Sequence, residues 1–276
     1  DESALHEVQL SIHGRALLNT PQTVLADIRD KETIRSIFAS RKPEVVFHAA
    51  ALKHLPLLET YPSEAFQTNV TGTLTLLEAA AEVGVGVFVN ISTDKAANPI
   101  SVLGYSKRIA ERITAQFGNT VSTGKYMSVR FGNVLGSRGS VLTSFRDQIA
   151  NGGPLTVTHR GVTRYFMTIS EAVQLVIQAG AIGKSGEALV LDMGTPVSIF
   201  DVAKQLVANS GKAIDIEIVG LRAGEKVHEE LFGDCETDIR PAHPLISHVV
   251  VPPIATAAVQ VLPIDARQTM IDLASS

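Results

Sequence analysis

The sequence contains no tryptophan and only one cysteine, Cys235, among its 276 residues. A single cysteine excludes an internal disulfide framework and is typical of a reducing compartment, so we expect a cytoplasmic protein with Cys235 as a spectator thiol in a loop. No apolar run approaches the roughly 18 residues that a membrane-spanning helix needs. The first residues show no signal-peptide pattern.

Charge and histidine content exclude two further classes of protein. The net charge is −4 and both signs are scattered along the chain, so no basic surface suggests a nucleic-acid partner. The eight histidines show no spacing typical of metal ligands, and we expect no metal. With 45% hydrophobic residues the chain can bury a sizeable core, as one large α/β domain or a domain with a smaller lobe.

Strand and helix patterns alternate through the first half of the chain. Three continuous apolar strands are predicted in "PEVVFHAAA", "GVFVNIS" and "KYMSVRFGNVLG", and a further strand in "QTVLAD". Helices are predicted between them, including the long segment "SEAFQTNVTGTLTLLEAAAEVG". Continuous apolar strands separated by helices are typical of a parallel sheet covered on both faces, and therefore of a doubly wound α/β fold.

The rhythm changes after about residue 136, where shorter strands and helices follow one another. We predict one domain over 1–135 and a smaller C-terminal lobe with a tail over 136–276. From Gly233 onward the chain is rich in proline, and a last helix is predicted in "DARQTMIDLASS".

Ligands of open parallel sheets bind beyond the carboxyl ends of the strands. Four predicted strand ends share a pattern in which small and polar residues collect at one edge of the sheet. Asp27 and Ile28 follow the first strand, Ala49, Ala50, Ala51 and Lys53 the second, Ser92, Thr93, Asp94 and Lys95 the third, and Asn133 the fourth. Any one of them is explained by the polarity of loops. Four strand ends that follow one pattern indicate a nucleotide site.

Six runs of sequence carry a family resemblance: "FHAAALKHLPLLE", "NVTGTLTLLEAA", "ISTDKAANPISVLGYSKR", "VRFGNVLGSRGSV", "GVTRYFMTISEAVQLV" and "GLRAGEKVHEEL". The chain resembles the extended short-chain dehydrogenase/reductases. More narrowly, it resembles the nucleotide-sugar 4,6-dehydratases of polysaccharide biosynthesis that act on UDP-N-acetylglucosamine. The tail beyond Gly233 matches only loosely.

The resemblance implies a Rossmann-like sheet that is incomplete at its N-terminus. Members of the family open with a strand, a glycine-rich turn, a helix and a second strand that ends in an acidic residue. The run "DESALHEVQL" matches the family's segment after that second strand, with Asp1 in the acidic position. The implied cofactor is NAD or NADP, and an acid at Asp1 favours NAD because it accepts a ribose 2′-hydroxyl. Asp27 and Ile28 are implied at the adenine ring, and Ala49, Ile91 and Ser92 along the cofactor.

Dehydration across carbons 5 and 6 of a hexose needs one base and one acid once carbon 4 is oxidised. The resemblance implies Lys95 as the base and Asp94 as the acid, assisted by Thr93, with Lys107 at the nicotinamide ribose. A base requires a free amine and hence a lowered pKa, and an acid requires a raised one. An adjacent Asp-Lys is by itself more often a solvated surface pair, so the assignment depends on its place in the family motif.

Leu103 stands four residues before Lys107, where many nicotinamide enzymes have a catalytic tyrosine. Residues four apart share a helix face, so we expect Leu103 in the same site, whereas Tyr105 points away and packs. Leucine cannot carry a proton. The resemblance is to a branch with methionine here, often membrane-anchored in full-length form at the cytoplasmic face. We expect Asp94 to accept the proton of the sugar's 4-hydroxyl, directly or through Thr93 or water.

The second lobe is implied to bind the UDP-sugar. The residues matched to substrate contacts are Lys53, Asn133, Val141, Arg164, Arg222 and Glu225. Arg222 is implied at the diphosphate and Glu225 at the uridine ribose, whereas a surface ion pair explains Arg164 equally well. We expect Asn69 to brace the loop near Ser92, and His48 to be a satisfied core histidine.

Two alternatives to a 4,6-dehydratase remain at this stage. One is a nucleotide-sugar epimerase of the same superfamily, against which the pair Asp94-Lys95 argues because 4-epimerisation needs no carbon-5 base. The other is a nucleotide-sugar-binding pseudoenzyme, suggested by Leu103. The superfamily commonly forms dimers, so the resemblance implies a homo-oligomer.

Overall fold

The structure, a computed structural model, describes residues 2–15, 20–137 and 139–276. The helices are α1 Glu2–His13, α2 Lys31–Arg41, α3 Leu55–Thr60, α4 Pro62–Ala65, α5 Gly72–Val83, α6 Val102–Thr120, α7 Val141–Ala150, α8 Ile169–Ile182, α9 Ile199–Ser210 and α10 Ala266–Ser275. The strands are β1 Val45–His48, β2 Val87–Ile91, β3 Lys125–Arg130, β4 Asn133–Val134, β5 Leu155–Val157, β6 Thr163–Arg164, β7 Phe166–Met167, β8 Glu187–Leu191, β9 Val197–Ser198, β10 Ile216–Ile218 and β11 Ile246–Val250. None of the helices in these described ranges is both long and apolar enough to cross a bilayer.

A central sheet of five strands, counted within the described residues, runs in the order β1-β2-β3-β8-β11. The first four strands pair in parallel, and β11 joins β8 antiparallel. Adjacent residues on β2 face opposite sides: Phe88 packs in the core formed with α2, α5 and α6, whereas Val89 packs against α8. Both faces are thus covered, and the predicted α/β, Rossmann-like fold is confirmed.

The predicted strand in "QTVLAD" is wrong, because this segment makes no ladder and runs as irregular chain. A strand needs a hydrogen-bonded neighbour, and the apolar pattern alone does not supply one. The outer side of β1 pairs with no strand of the described residues, and the side chains of Val45 and Phe47 are about half exposed there.

The predicted long helix over 63–84 forms with an irregular middle. The chain continues from α4 through a π-helical stretch, Phe66–Thr71, into α5. Gly72 stands at the junction, where a Cβ would lie 2.7 Å from the Cδ1 atom of Ile28 and would displace that side chain. The helix ends at Val83 and is capped by Gly84, whose positive φ of 75° favours glycine.

Small sheets and a separate apolar cluster form the C-terminal part. β5 pairs with β10, β6 with β9, and β4 with β7. The separate apolar cluster includes Phe145, Leu155 and Ile199. The predicted last helix is confirmed as α10. The strand β11 in the proline-rich tail was not predicted. β8 and β11 belong to the central sheet although they lie beyond residue 135 in the chain. The division into 1–135 and 136–276 stays a prediction.

Candidate active site

The loop after β2 is held by backbone hydrogen bonds that continue past the end of the strand. The amide of Ser92 donates to Val129 O at 2.7 Å, and the amide of Asp94 donates to Phe131 O at 3.0 Å. The side chain of Thr93 then caps a single 3₁₀ turn, Asp94–Ala96, by accepting from the amide of Lys95. This geometry fixes Asp94 inside the protein, where it is fully buried.

Asp94 and Lys95 form a close pair at this turn. The Nζ atom of Lys95 donates to Asp94 Oδ1 at 2.9 Å, and the hydroxyl of Thr93 donates to the same oxygen at 2.9 Å. The other carboxylate oxygen, Oδ2, is buried without a hydrogen-bond partner among the described residues. A Cβ at Gly132 would lie 3.1 Å from that oxygen, so a residue without a side chain leaves it room.

Two carboxylates determine the protonation state of Lys95. Burial by itself lowers the pKa of this amine, but Asp94 and Glu229 outweigh burial and raise the pKa above its usual value, while Arg164 opposes them. The amine is therefore an ammonium in this arrangement. A lowered pKa is expected of Lys95 as the base. In this arrangement its pKa is raised, because the two carboxylates together outweigh the effect of burial.

Glu229 is a component of the site that the sequence did not reveal. Its carboxylate is 3% exposed and lies 3.4 Å from Lys95 Nζ. Its second oxygen, Oε2, is buried without a partner in the part of the chain that the structure describes. The only signal in the sequence was its position in "GLRAGEKVHEEL", four residues after Glu225.

Arg164 and Glu225, both predicted to contact substrate, contact each other. The Nη2 atom of Arg164 donates to Glu225 Oε1 at 3.1 Å, and Nε lies 3.9 Å from Glu229 Oε1. Arg164 is buried and also donates to the carbonyl of Val227. Arg222 is exposed, and its amide donates to Glu225 Oε2 at 3.1 Å.

An open cleft of about 390 Å³ lies beyond the carboxyl ends of β1, β2 and β3. Nine of the predicted site residues line it: Ala49, Lys53, Ile91, Ser92, Thr93, Lys95, Lys107, Asn133 and Val141. Residues not predicted, among them His54, Leu135 and Ser137, complete the wall. Asn133 also accepts from Lys95 Nζ at 3.5 Å, so the wall and the Asp-Lys pair are in direct contact.

Leu103 and Lys107 face this same cleft from α6, as their spacing predicts. Burial lowers the pKa of Lys107 to about 8, with Glu111 opposing the shift. Tyr105 packs against the apolar core on another side of the helix. No phenol therefore stands beside Lys107 at the position of Leu103.

Asp27 and Ile28 line a second groove, which meets the cleft at Ala51 and Leu52. The carboxylate of Asp27 accepts several hydrogen bonds from Arg29, the shortest at 2.7 Å, and these bonds lower its pKa. Asp1 lies outside the described residues.

Two interior residues have structural roles. His48 is buried and shares a hydrogen bond of 2.9 Å with the hydroxyl of Thr73, as expected of a satisfied core histidine, and burial lowers its pKa to about 3. Asn69 bonds the amide and carbonyl of Leu52 and the hydroxyl of Ser106. It braces the loop after β1, and not the loop near Ser92 as predicted.

Across residues 2–15, 20–137 and 139–276, no three His, Cys, Asp or Glu side chains lie together as a group that could hold a metal ion.

A family model described as "Polysaccharide biosynthesis protein" matches residues 1–250. The chain belongs to this family. It is 47% identical over 249 residues to the probable polysaccharide biosynthesis protein EpsC of Bacillus subtilis, covering 89% of the chain and 42% of that relative. It is 49% identical over 236 residues to the capsular polysaccharide biosynthesis protein CapD of Staphylococcus aureus, covering 84% and 39%. The chain thus spans less than half the length of these two relatives.

Other similar proteins include one named as an epimerase and one named as a 4,6-dehydratase. The chain is 37% identical over 222 residues to a UDP-glucose 4-epimerase of Rickettsia akari, covering 79% of the chain and 64% of that relative. Among solved structures, Pen of Bacillus thuringiensis matches with a TM-score of 0.79 at 29% identity, covering 94% of the chain and 85% of Pen. The dTDP-glucose 4,6-dehydratase DesIV of Streptomyces venezuelae shares the fold, with a TM-score of 0.71 at 21% identity over 82% of the chain and 75% of DesIV.

Proposed function

We propose that the full protein dehydrates UDP-N-acetylglucosamine to a 4-keto-6-deoxy sugar nucleotide for cell-surface polysaccharide biosynthesis. Family membership supports the general class, a nucleotide-sugar-modifying enzyme of the short-chain dehydrogenase/reductase superfamily. The observation that carries the specific reaction is the contact between Asp94 and Lys95, 2.9 Å apart at the wall of the cleft. Dehydration needs an acid and a base side by side, whereas a simple change of configuration at carbon 4 does not.

The residues at the inner end of the cleft fit a nicotinamide cofactor, NAD or NADP. Ala49 and Ser92 offer small side chains, and Ile91 an apolar one, at the carboxyl ends of parallel strands, where nucleotides bind in open α/β sheets. Lys107 offers a donor for ribose hydroxyls. When bound, the cofactor would take a hydride from carbon 4, which acidifies the hydrogen on carbon 5, and would return that hydride to carbon 6.

Asp94 is the group that accepts the proton of the sugar's 4-hydroxyl. It acts directly or through Thr93, whose hydroxyl lies 2.9 Å from Asp94 Oδ1. Leu103 supports this assignment, because a leucine side chain facing the cleft cannot take the proton. Asp94 ends this step as a carboxylic acid.

Lys95, as a free amine, then removes the proton from carbon 5 while the carbon–oxygen bond at carbon 6 breaks. Asp94 gives its proton to the leaving hydroxyl, which departs as water. Lys95 returns a proton to carbon 5 when carbon 6 is reduced. Asp94 and Lys95 are thereby restored, and the sugar has lost one water with no net oxidation.

A nucleotide-sugar epimerase is the second candidate, favoured by the 37% identity to the Rickettsia akari UDP-glucose 4-epimerase. It would need only the oxidation and reduction at carbon 4. Lys95 would then have no carbon-5 proton to remove, and Asp94 would serve only as the acceptor of the 4-hydroxyl proton. A protein that binds the nucleotide sugar without turnover is the third candidate, suggested by Leu103.

The experiment that separates these candidates uses the full-length protein with UDP-N-acetylglucosamine and NAD⁺, followed by ¹H NMR. The proposal predicts a new methyl signal from a 4-keto-6-deoxy hexose. A 4-epimer without a methyl signal would establish the epimerase. An unchanged sugar, with binding detected by ligand-observed NMR, would establish the non-catalytic protein.

A further inference from the structure

Five side chains of alternating charge connect the Asp-Lys pair to the loop implied to hold the uridine ribose. Asp94 contacts Lys95 at 2.9 Å, and Lys95 contacts Glu229 at 3.4 Å. Arg164 lies 3.9 Å from Glu229 and 3.1 Å from Glu225. The row runs from the wall of the cleft to the segment that carries Arg222.

This row lies inside the protein. The side chains of Asp94, Glu229 and Arg164 are 0%, 3% and 9% exposed, and that of Glu225 is 14% exposed. Charges that are shielded from water act on one another more strongly than surface charges do. A movement of one member therefore changes the electrostatic environment of the next.

The contact between Arg164 and Glu229 is incomplete. Glu229 Oε1 faces both Lys95 and Arg164, whereas Oε2 is buried with no hydrogen-bond partner in the described part of the chain. At 3.9 Å, the Nε atom of Arg164 is too far away for a hydrogen bond. The Nη2 atom of Arg164 is engaged by Glu225 instead. A guanidinium can bind a carboxylate through two parallel bonds, and this buried carboxylate lacks them.

We propose that Arg164 is a positioning residue for Lys95. Arg164 competes with Lys95 for the carboxylate of Glu229, and it moves toward Glu229 when a nucleotide binds Glu225 and frees the guanidinium. The proposal rests on the proposed function, because that function assigns the ribose to Glu225 and requires Lys95 as a free amine. In the present arrangement Glu225 holds Arg164 back, and Glu229 holds the ammonium. With the nucleotide bound, Arg164 neutralises Glu229 and the amine can lose its proton.

The charged groups that act on Lys95 are Asp94, Glu229 and Arg164. Glu229 raises the pKa of the amine and Arg164 lowers it. Two neighbouring substitutions should therefore have opposite effects. Arg164→Gln should raise the pKa of Lys95, and Glu229→Gln should lower it, each by about one unit or more. A merely structural role for these residues would not give opposite signs.

The direct test measures the pKa of Lys95 without turnover. The full-length protein is acetylated with a trace of acetic anhydride across a pH series, and the Lys95 peptide is quantified by mass spectrometry. UDP serves as the nucleotide probe. The expected result is that UDP lowers the pKa of Lys95 in the wild type but not in Arg164→Gln. Glu225→Gln should lower the pKa without UDP, because it releases Arg164.

A matched control is Arg240→Gln, which removes an arginine paired with Asp192 and Asp238 away from the cleft. This variant should leave the pKa of Lys95 unchanged. The inference is overturned if Arg164→Gln and Glu229→Gln shift the pKa in the same direction, or if UDP has no effect in the wild type. Should Arg164→Gln fail to fold, Glu225→Gln and Glu229→Gln decide the question, because both must lower the pKa.

The pH dependence of turnover distinguishes this inference from the proposed function. If the full-length protein makes the 4-keto-6-deoxy product, the acid limb of its rate profile should move to higher pH in Arg164→Gln and to lower pH in Glu229→Gln. Absence of product together with the opposite pKa shifts would contradict the function and leave the coupling intact. Product formation with no such shifts would contradict the coupling alone.

Discussion

The Nζ atom of Lys95 lies 2.9 Å from Oδ1 of Asp94, and the carboxylate of that aspartate has no exposure to solvent. An ion pair of this kind holds the proton on the lysine, which is the reverse of what a carbon-5 base needs. The proposed reaction therefore depends on a change in the pair when substrate enters. Protonation of Asp94 by the sugar's 4-hydroxyl removes one of the two charges that hold the ammonium, and neutralisation of Glu229 removes the other.

Asp94→Asn should abolish the first step of the proposed reaction. An amide cannot accept the proton of the 4-hydroxyl, so oxidation at carbon 4 should slow by about 10²-fold or more. The measurement is the appearance of reduced nicotinamide in a single turnover of the full-length protein with UDP-N-acetylglucosamine. Asp201→Asn, at the exposed start of α9, is the matched control and should react like the wild type. An unimpaired oxidation step in Asp94→Asn would refute the role of Asp94.

Leu103→Tyr tests the same assignment from the other side. A tyrosine at 103 shares a helix face with Lys107 and faces the cleft. Its hydroxyl can take the proton that Leu103 cannot, and the lysine, with a pKa lowered to about 8, is a suitable neighbour.

The readout is the oxidation rate of the double variant Leu103→Tyr with Asp94→Asn. We expect it to exceed that of Asp94→Asn alone by about tenfold or more, since positioned proton acceptors contribute on this scale. Leu103→Phe provides the ring without the hydroxyl and should give no rescue. Equal rescue by phenylalanine would show that the ring, and not proton transfer, is responsible.

The carboxylate of Glu236 should make the free energy of unfolding depend on pH in the acidic range. Its carboxylate accepts from Arg130 at 2.6 Å, and these bonds hold its pKa at about 2, against the effect of burial. Because the pKa is lowered in the folded state, the contribution to stability is complete above the ordinary pKa of about 4.5 and is lost as the pH falls toward 2.

Glu236→Gln should therefore lower the free energy of unfolding at neutral pH, by about 3 kcal/mol at most. The deficit should shrink by up to about 1.4 kcal/mol per pH unit between pH values of about 4.5 and 2. Denaturant unfolding at a series of pH values measures this difference, with the exposed Glu217→Gln as control. A deficit that is constant with pH would contradict the assignment.

Local sequence patterns predicted the parallel core and the cleft, because both features are determined mainly by residues that are close together in the sequence. Lys95 follows an apolar strand directly, and Leu103 and Lys107 are one helical turn apart, so their meeting could be expected. The strand β11 and the contact of Glu229 with Lys95 could not, since each is made by segments far apart in the chain. The segment "QTVLAD" has a strand pattern but no ladder, because pairing depends on a neighbour that the pattern does not describe.

The most direct test of the proposed roles of Asp94 and Lys95 is a single turnover of Lys95→Met in D₂O with UDP-N-acetylglucosamine and NAD⁺. We predict that the nicotinamide is still reduced, because Asp94 accepts the first proton, while carbon 5 keeps its hydrogen and no methyl signal appears by ¹H NMR. The wild type should give the methyl signal with deuterium at carbon 5. A Lys95→Met variant that forms the same deuterated 6-deoxy product at the wild-type rate would contradict these roles.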